Sequence, residues 1–171
     1  MSDCGCNNGN LTILKGDKGD TGAAGSFSGE LVITSGSGAT VTLTVSQSGQ
    51  TILLDRGSGI AITLPTVASA DAIGTFFDFQ VYVSMIGPST YTITSFAATE
   101  LFTGYIMMSA AAADDTLFSP NGTTHDTFTM NGSTQGGLIG TTFRVTCIAV
   151  NTWFFSGQVR GSGVVVTPFS T

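Results

Sequence analysis

The chain has 171 residues and a mass of 17.5 kDa, which allows one packed domain of about 130 to 150 residues and an appendage. Only 9% of its residues are charged while 42% are hydrophobic, so we expect much weakly polar surface to be buried between subunits. The net charge of -6, with five scattered Lys and Arg, argues against a nucleic-acid partner, and no apolar run reaches the roughly 18 residues that cross a membrane.

Residues 1–14 are predicted to form a flexible anchoring arm. They begin polar and rich in Gly and Asn, and they end in an apolar patch made by Leu11, Ile13 and Leu14. Cys4 and Cys6 are one residue apart, which is a poor spacing for zinc or redox chemistry. A reduced arm made in a reducing cytoplasm is the default interpretation, and interchain disulfides in oxidising surroundings are the alternative.

Residues 15–29 carry four consecutive Gly-X-Y triplets, with glycine at Gly16, Gly19, Gly22 and Gly25. Three polyproline-like chains wind around one axis only when every third residue is glycine, because no side chain fits at the centre. A flexible linker does not require that strict register. The segment therefore predicts a short collagen-like stalk shared by three chains. Since it contains no proline, the head must impose the trimer.

Residues 30–171 are predicted to form an all-β head. Apolar and polar residues alternate at Val41 to Val45, Ile60 to Leu64 and Phe77 to Val83, which is typical of strands with one buried face. Further strands are predicted at Leu31 to Thr34, Thr51 to Asp55, Tyr91 to Thr94, Thr127 to Met130, Thr142 to Val150, Thr152 to Gln158 and Val164 to Thr167. About ten short strands indicate a β-sandwich, jelly-roll-like or barrel-like, and the collagen-like stalk makes the expected head trimeric.

The segment Thr103 to Asp115 is the one stretch with helical propensity, from its two methionines and four alanines. Either a short helix or a strand followed by an alanine-rich loop fits it. Asp114 and Asp115 are expected in a solvated loop, because the alanines before them supply no side-chain oxygens for calcium.

Five short motifs carry a resemblance to known proteins. They are Gln50 to Asp55, Ile60 to Pro65, Gly74 to Val81, Tyr91 to Thr94 and the aromatic hairpin Asn151 to Gly157. In order and spacing, residues 50–166 resemble the trimeric β-structured decoration and fibre-like proteins of tailed-phage particles. The resemblance implies architecture and class rather than an active site. Its expected core residues in this chain are Leu64, Phe77, Phe79, Val81, Trp153 and Phe155.

The sequence indicates no catalytic or metal site and no cofactor. His125, the single histidine, is expected in an exposed polar loop, and Cys147 is expected to be a buried thiol in a strand. The acidic residues Asp55, Asp71, Asp78 and Glu100 form no local constellation, so we expect a protein that is not an enzyme.

Three functional hypotheses remain open. The leading one is a homotrimeric decoration or head-fibre subunit on the virion surface, whose arm binds the major capsid protein or another virion protein. The second is a receptor-binding module that grips a host glycan through the loops Ser84 to Thr90 and Asp114 to Asp126, helped by nearby aromatics. Those aromatics are Phe96, Phe102, Tyr105 and Phe118. The third is a filament or spore-surface subunit in which the arm inserts into the next trimer.

Overall fold

The computed structural model of the protein describes residues 31–34, 40–110 and 113–171. The arm and the stalk lie outside the described residues, and their assignments remain predictions. This applies to Leu11, Ile13 and Leu14 and to Gly16, Gly19, Gly22 and Gly25.

The described part of the chain consists of β-strands, turns and two short 3-10 segments, Val45–Gln47 and Ala70–Ala72, so the all-β prediction is confirmed. The strands are β1 (Leu31–Thr34), β2 (Thr40–Thr42), β3 (Thr51–Asp55), β4 (Ile60–Thr63), β5 (Phe76–Val81), β6 (Tyr91–Thr94), β7 (Leu101–Ala110), β8 (Ala113–Phe118), β9 (Thr127–Met130), β10 (Thr142–Ala149), β11 (Thr152–Gly161) and β12 (Phe169–Ser170).

These strands form two sheets that share one core. The seven-stranded sheet has the order β1-β3-β5-β10-β11-β7-β8, and the five-stranded sheet has the order β12-β9-β6-β4-β2. Half of the strand pairings are parallel, which departs from the antiparallel strands of a jelly roll. Neither sheet closes on itself, so the barrel-like alternative is wrong as well.

Four of the five parallel pairings arise because the first six strands alternate between the two sheets. Leu31 pairs with Ile52 in one sheet, and Thr40 pairs with Ala61 in the other. In both sheets the first parallel pair therefore joins residues that are 21 positions apart in the sequence. A parallel pair needs a crossover connection, which is usually a helix. Here the crossover is a strand of the opposite sheet, which explains how parallel strands form without helices.

The core is filled by aromatic side chains from both sheets. The Phe128 ring of the five-stranded sheet lies 5.1 Å from Phe143 and 5.2 Å from Phe155 of the seven-stranded sheet, measured between ring centroids. Trp153 lies 6.3 Å from Phe77 at one end. The six side chains expected in the core are each at most 1% exposed: Leu64, Phe77, Phe79, Val81, Trp153 and Phe155.

Two strands end earlier than their alternation predicts. After β2 the chain turns, because the Gln47 side-chain oxygen accepts a hydrogen bond from the Thr44 N–H at 2.8 Å and stabilises a 3-10 segment in which Val45 is 42% exposed. Strand β5 ends at Val81, since the N–H groups of Tyr82 and Val83 both donate to the carbonyl of Leu54 and the strand bends there.

The strand predicted at Val164 to Thr167 is wrong. Val164 is largely exposed, and the strand at this end of the chain is β12, where Phe169 pairs with Phe128. The two residues of β12 contain one buried aromatic, and two residues are too short to show any periodicity.

The helical alternative for Thr103 to Asp115 is also wrong. Phe102, Ile106 and Met108 are buried, whereas Tyr105 and Met107 point outward, which is the period of a strand. Strand β7 is held by β11 and β8 on its two sides, so tertiary pairing overrides the helical propensity. Asp114 and Asp115 lie in strand β8 rather than in a loop.

Candidate functional site

The outer face of the five-stranded sheet is covered with threonine. Because Ile62, Ile93 and Phe128 point into the core, their neighbours in the strands point outward. Thr63 pairs with Thr94, and Thr94 pairs with Thr127 across three adjacent strands. This face is polar and carries no charged side chain within its strands.

The outer face of the seven-stranded sheet is different, because it exposes a cluster of apolar side chains as well as the charged pair Arg144 and Asp78. Tyr105, Met107 and Leu117 are 47%, 37% and 57% exposed, and Phe154 beside them is half-buried. Met107 pairs directly with Leu117 across β7 and β8, and the Tyr105 ring meets Phe154 edge-on with centroids 6.2 Å apart. We call these four residues the β7 patch.

A shallow groove of about 360 Å³ crosses the same face beside β5 and β10. Arg144 Nε and Nη2 each donate a 2.7 Å hydrogen bond to the two carboxylate oxygens of Asp78, and the guanidinium lies 4.3 Å above the Phe76 ring. The hydrogen bond to Asp78 raises the pKa of Arg144. The pair is solvent-exposed, so it contributes at most about 1 kcal/mol. Because the Arg144 charge is already neutralised, the groove has little attraction for an anion.

Glu100 is a buried acidic residue for which the sequence predicts no specific role. It is 1% exposed, and its Oε1 accepts hydrogen bonds from the Thr66 hydroxyl at 2.7 Å and the Val67 N–H at 2.8 Å. Its Oε2 is buried and makes no hydrogen bond to any residue that the structure describes. These contacts tie the chain after β4 to the start of β7, which is a structural role. Buried bonding partners give no signal in the sequence.

Cys147 is a buried thiol, as the sequence predicts. It donates to the carbonyl of Ala149 at 3.4 Å, and burial raises the pKa of the thiol. Since the thiolate is the reactive form, this cysteine is unsuited to nucleophilic chemistry.

His125 is less exposed than predicted. Its Nδ1 accepts a 3.1 Å hydrogen bond from the Asn121 N–H, and its ring stacks on Phe169. The loop is ordered by Asn121 Oδ1, which accepts from the N–H groups of Thr123 and Thr124. Within residues 40–110 and 113–171, no group of three or more His, Cys, Asp or Glu side chains is placed to hold a metal ion.

The loop Ser84 to Thr90, one of the two predicted glycan contacts, lies beside a groove of about 490 Å³ that includes Asp55, Gly57 and Ile86. Ile86 is 72% exposed. Of the aromatics expected near these loops, Phe96 and Tyr105 are exposed, whereas Phe102 is buried and Phe118 packs against the core.

Comparison with known proteins adds no relative. No protein-family model, no curated protein and no solved structure matches this chain. In the described residues, no helix has the length and apolar character to cross a membrane.

Proposed function

We propose that this chain is a structural protein of a phage particle, a homotrimeric decoration or head-fibre subunit on the virion surface. One observation carries the proposal: four Gly-X-Y triplets, with Gly16, Gly19, Gly22 and Gly25 in register, stand directly before an all-β domain. The triplets require three chains, and the domain supplies a folded head for each of them.

The chemistry of the described residues supports a structural role. The buried polar side chains of Glu100 and Tyr91 form hydrogen bonds with backbone groups. The exposed charges of Arg144 and Asp78 neutralise each other in an ion pair. The surface offers broad, weakly charged sheet faces, which suit contacts between subunits.

In this proposal the arm attaches the trimer to the particle. Leu11, Ile13 and Leu14 would bury their side chains against the major capsid protein or another virion protein. Full burial of one such side chain contributes roughly 1.5 to 3 kcal/mol, and a trimer presents three arms together.

The test is a particle-binding assay. Purified full-length protein is mixed with particles of the phage that encodes it, prepared without this protein. The particles are sedimented, and bound protein is measured. The matched variant Leu11→Ser/Ile13→Ser/Leu14→Ser keeps the head and stalk unchanged. We expect the unmodified protein to sediment with particles and the variant to stay in solution; equal binding by both would contradict arm anchoring, and no binding by either would contradict the virion role.

A second candidate function is adhesion to a host glycan. The exposed side chain of Ile86 beside the groove at Gly57 and the exposed Phe96 favour it, because sugar rings pack on apolar surfaces that are edged by polar groups. A glycan array probed with the full-length protein and with Ile86→Ser tests this candidate. Binding that the substitution removes would support it, and an array without binding would exclude it for the glycans tested.

A further inference from the structure

The β7 patch lies outside the core of the head. Tyr105, Met107 and Leu117 point away from the core, and the side chains that stabilise β7 from within are Phe102, Ile106 and Met108. Large apolar side chains that cluster on an exposed sheet face mark a contact surface.

We propose that the β7 patch is the contact between heads in the homotrimer, and that it is covered by the two other copies of this chain. This inference rests on the proposed function only for the number of chains. It adds the surface through which those chains associate.

The geometry of the patch suits such a contact. Its residues lie on the three adjacent strands β11, β7 and β8, so they form one continuous area about 10 Å wide across the strands. Tyr105 and Phe154 are fixed against each other edge-on. Aromatic residues and methionine are enriched in protein interfaces, where rigid rings lose little conformational freedom. None of the four side chains is charged, and the nearest charged side chain on the same side of β8 is the exposed Asp115, two residues before Leu117.

The Gly-X-Y triplets before the head are the reason to expect other copies of this chain at the β7 patch. Gly-X-Y register requires three chains, and four proline-free triplets are too few to hold those chains together alone. The heads must therefore associate through their own surfaces. The outer face of the five-stranded sheet presents threonine hydroxyls, whereas the outer face of the seven-stranded sheet presents the β7 patch. In the trimer the seven-stranded sheets thus face the threefold axis, and the threonine faces point to solvent.

A charge-insertion experiment tests the surface. In full-length protein, Met107→Glu/Leu117→Glu places two carboxylates on outward residues that pair across adjacent strands. The matched control Thr40→Glu/Ala61→Glu does the same on the five-stranded sheet, where Thr40 and Ala61 also pair and are both exposed. We expect the control to keep the mass of the unmodified trimer by light scattering and the β7 variant to fall to one third of it. A β7 variant that stays trimeric would overturn the proposal.

A measurement on unmodified protein covers the case in which the β7 variant does not fold. Met107 points outward and Met108 points into the core of the same strand, so Met108 is an internal standard for protection from peroxide. We expect Met107 in the trimer to be oxidised as slowly as Met108. Rapid oxidation of Met107 in a protein of trimer mass would contradict the contact at the β7 patch but not the trimer. A monomeric unmodified protein would instead contradict the proposed function.

Discussion

Gly104 lies where the backbones of β7 and β11 approach each other closely. It lies in the middle of β7 at φ +97°, and a Cβ there would contact the backbone carbonyl oxygen of Phe155 on β11. The glycine lets two parallel strands approach closely at a point that any side chain would block.

We expect Gly104→Ala to lower the free energy of unfolding by about 2 to 5 kcal/mol, the sum of an unfavourable φ and a backbone clash. Gly122→Ala is the control, because Gly122 has φ +70° but no atom within 4 Å of its Cβ position, and it should cost roughly 1 to 2 kcal/mol. Urea unfolding of both variants measures the difference. Equal losses would show that the β7–β11 approach is not tight.

Tyr91 makes stability depend on alkaline pH. Its buried hydroxyl accepts from the Arg56 N–H at 3.1 Å and donates to the Val83 carbonyl at 3.0 Å. Burial is the main cause that raises the pKa of Tyr91 above its ordinary value near 10. The folded state therefore holds this proton more tightly than the unfolded state, and the resulting stability is present below pH 10 and is lost as the pH rises through the folded pKa.

Tyr91→Phe tests this linkage. At pH 8 the variant should be about 1 kcal/mol less stable, because the backbone groups of Arg56, Val83 and Leu54 each lose a hydrogen bond to the hydroxyl. Between pH 10 and 11 the unmodified protein should lose up to about 1.4 kcal/mol per pH unit more than the variant does. Urea midpoints at each pH provide the measurement, and parallel pH profiles would contradict the assignment. Cys147, whose pKa burial also raises, contributes equally to both proteins and cancels in the comparison.

Among the elements, the β10–β11 hairpin is the one whose turn the sequence specifies most directly. Asn151 adopts φ +56°, a conformation that asparagine tolerates better than most residues, and its N–H and carbonyl bond to Val67 and Leu101. We expect Asn151→Val to lower the free energy of unfolding by about 1 to 2 kcal/mol and Asn151→Gly to change it little. Thermal unfolding measures both variants, and a valine variant as stable as the glycine variant would contradict a turn-specified hairpin.

The positions of several strands could be predicted from alternating apolar and polar residues, but the ends of β2 and β5 and the pairing of the strands could not. The bounds of β1, β3, β6 and β9 follow from their apolar and polar residues, as predicted. Periodicity of two says which residues face inward, but it does not say which strand lies alongside. The parallel pairing among β1 to β6 and the placement of β7 beside β11 depend on contacts between residues far apart in sequence, such as Gly104 and Phe155.

The candidate surface was partly visible in the sequence. The sequence places the aromatic Tyr105 near a predicted loop, whereas Met107 contributes to the helical propensity of its segment. Once β7 is a strand, both residues point outward, and Leu117 of β8 joins them. A contact surface of this kind becomes apparent only when the topology is known, because its members come from three separate strands.

The proposed assembly is three heads that share one stalk. Each head has a polar threonine face and an apolar β7 patch, and its low charge suits burial against copies of itself. In the proposed function, the arm attaches the trimer to a particle. Every part of this description depends on the number of chains.

The most direct measurement is the light-scattering mass of the purified full-length protein at micromolar concentration. The proposed homotrimer would have three times the chain mass of 17.5 kDa. We expect the same mass for Gly19→Ala/Gly22→Ala, because the heads rather than the stalk hold the trimer together. A full-length protein at the mass of one chain would contradict the collagen-like stalk, the contact at the β7 patch and the virion trimer together.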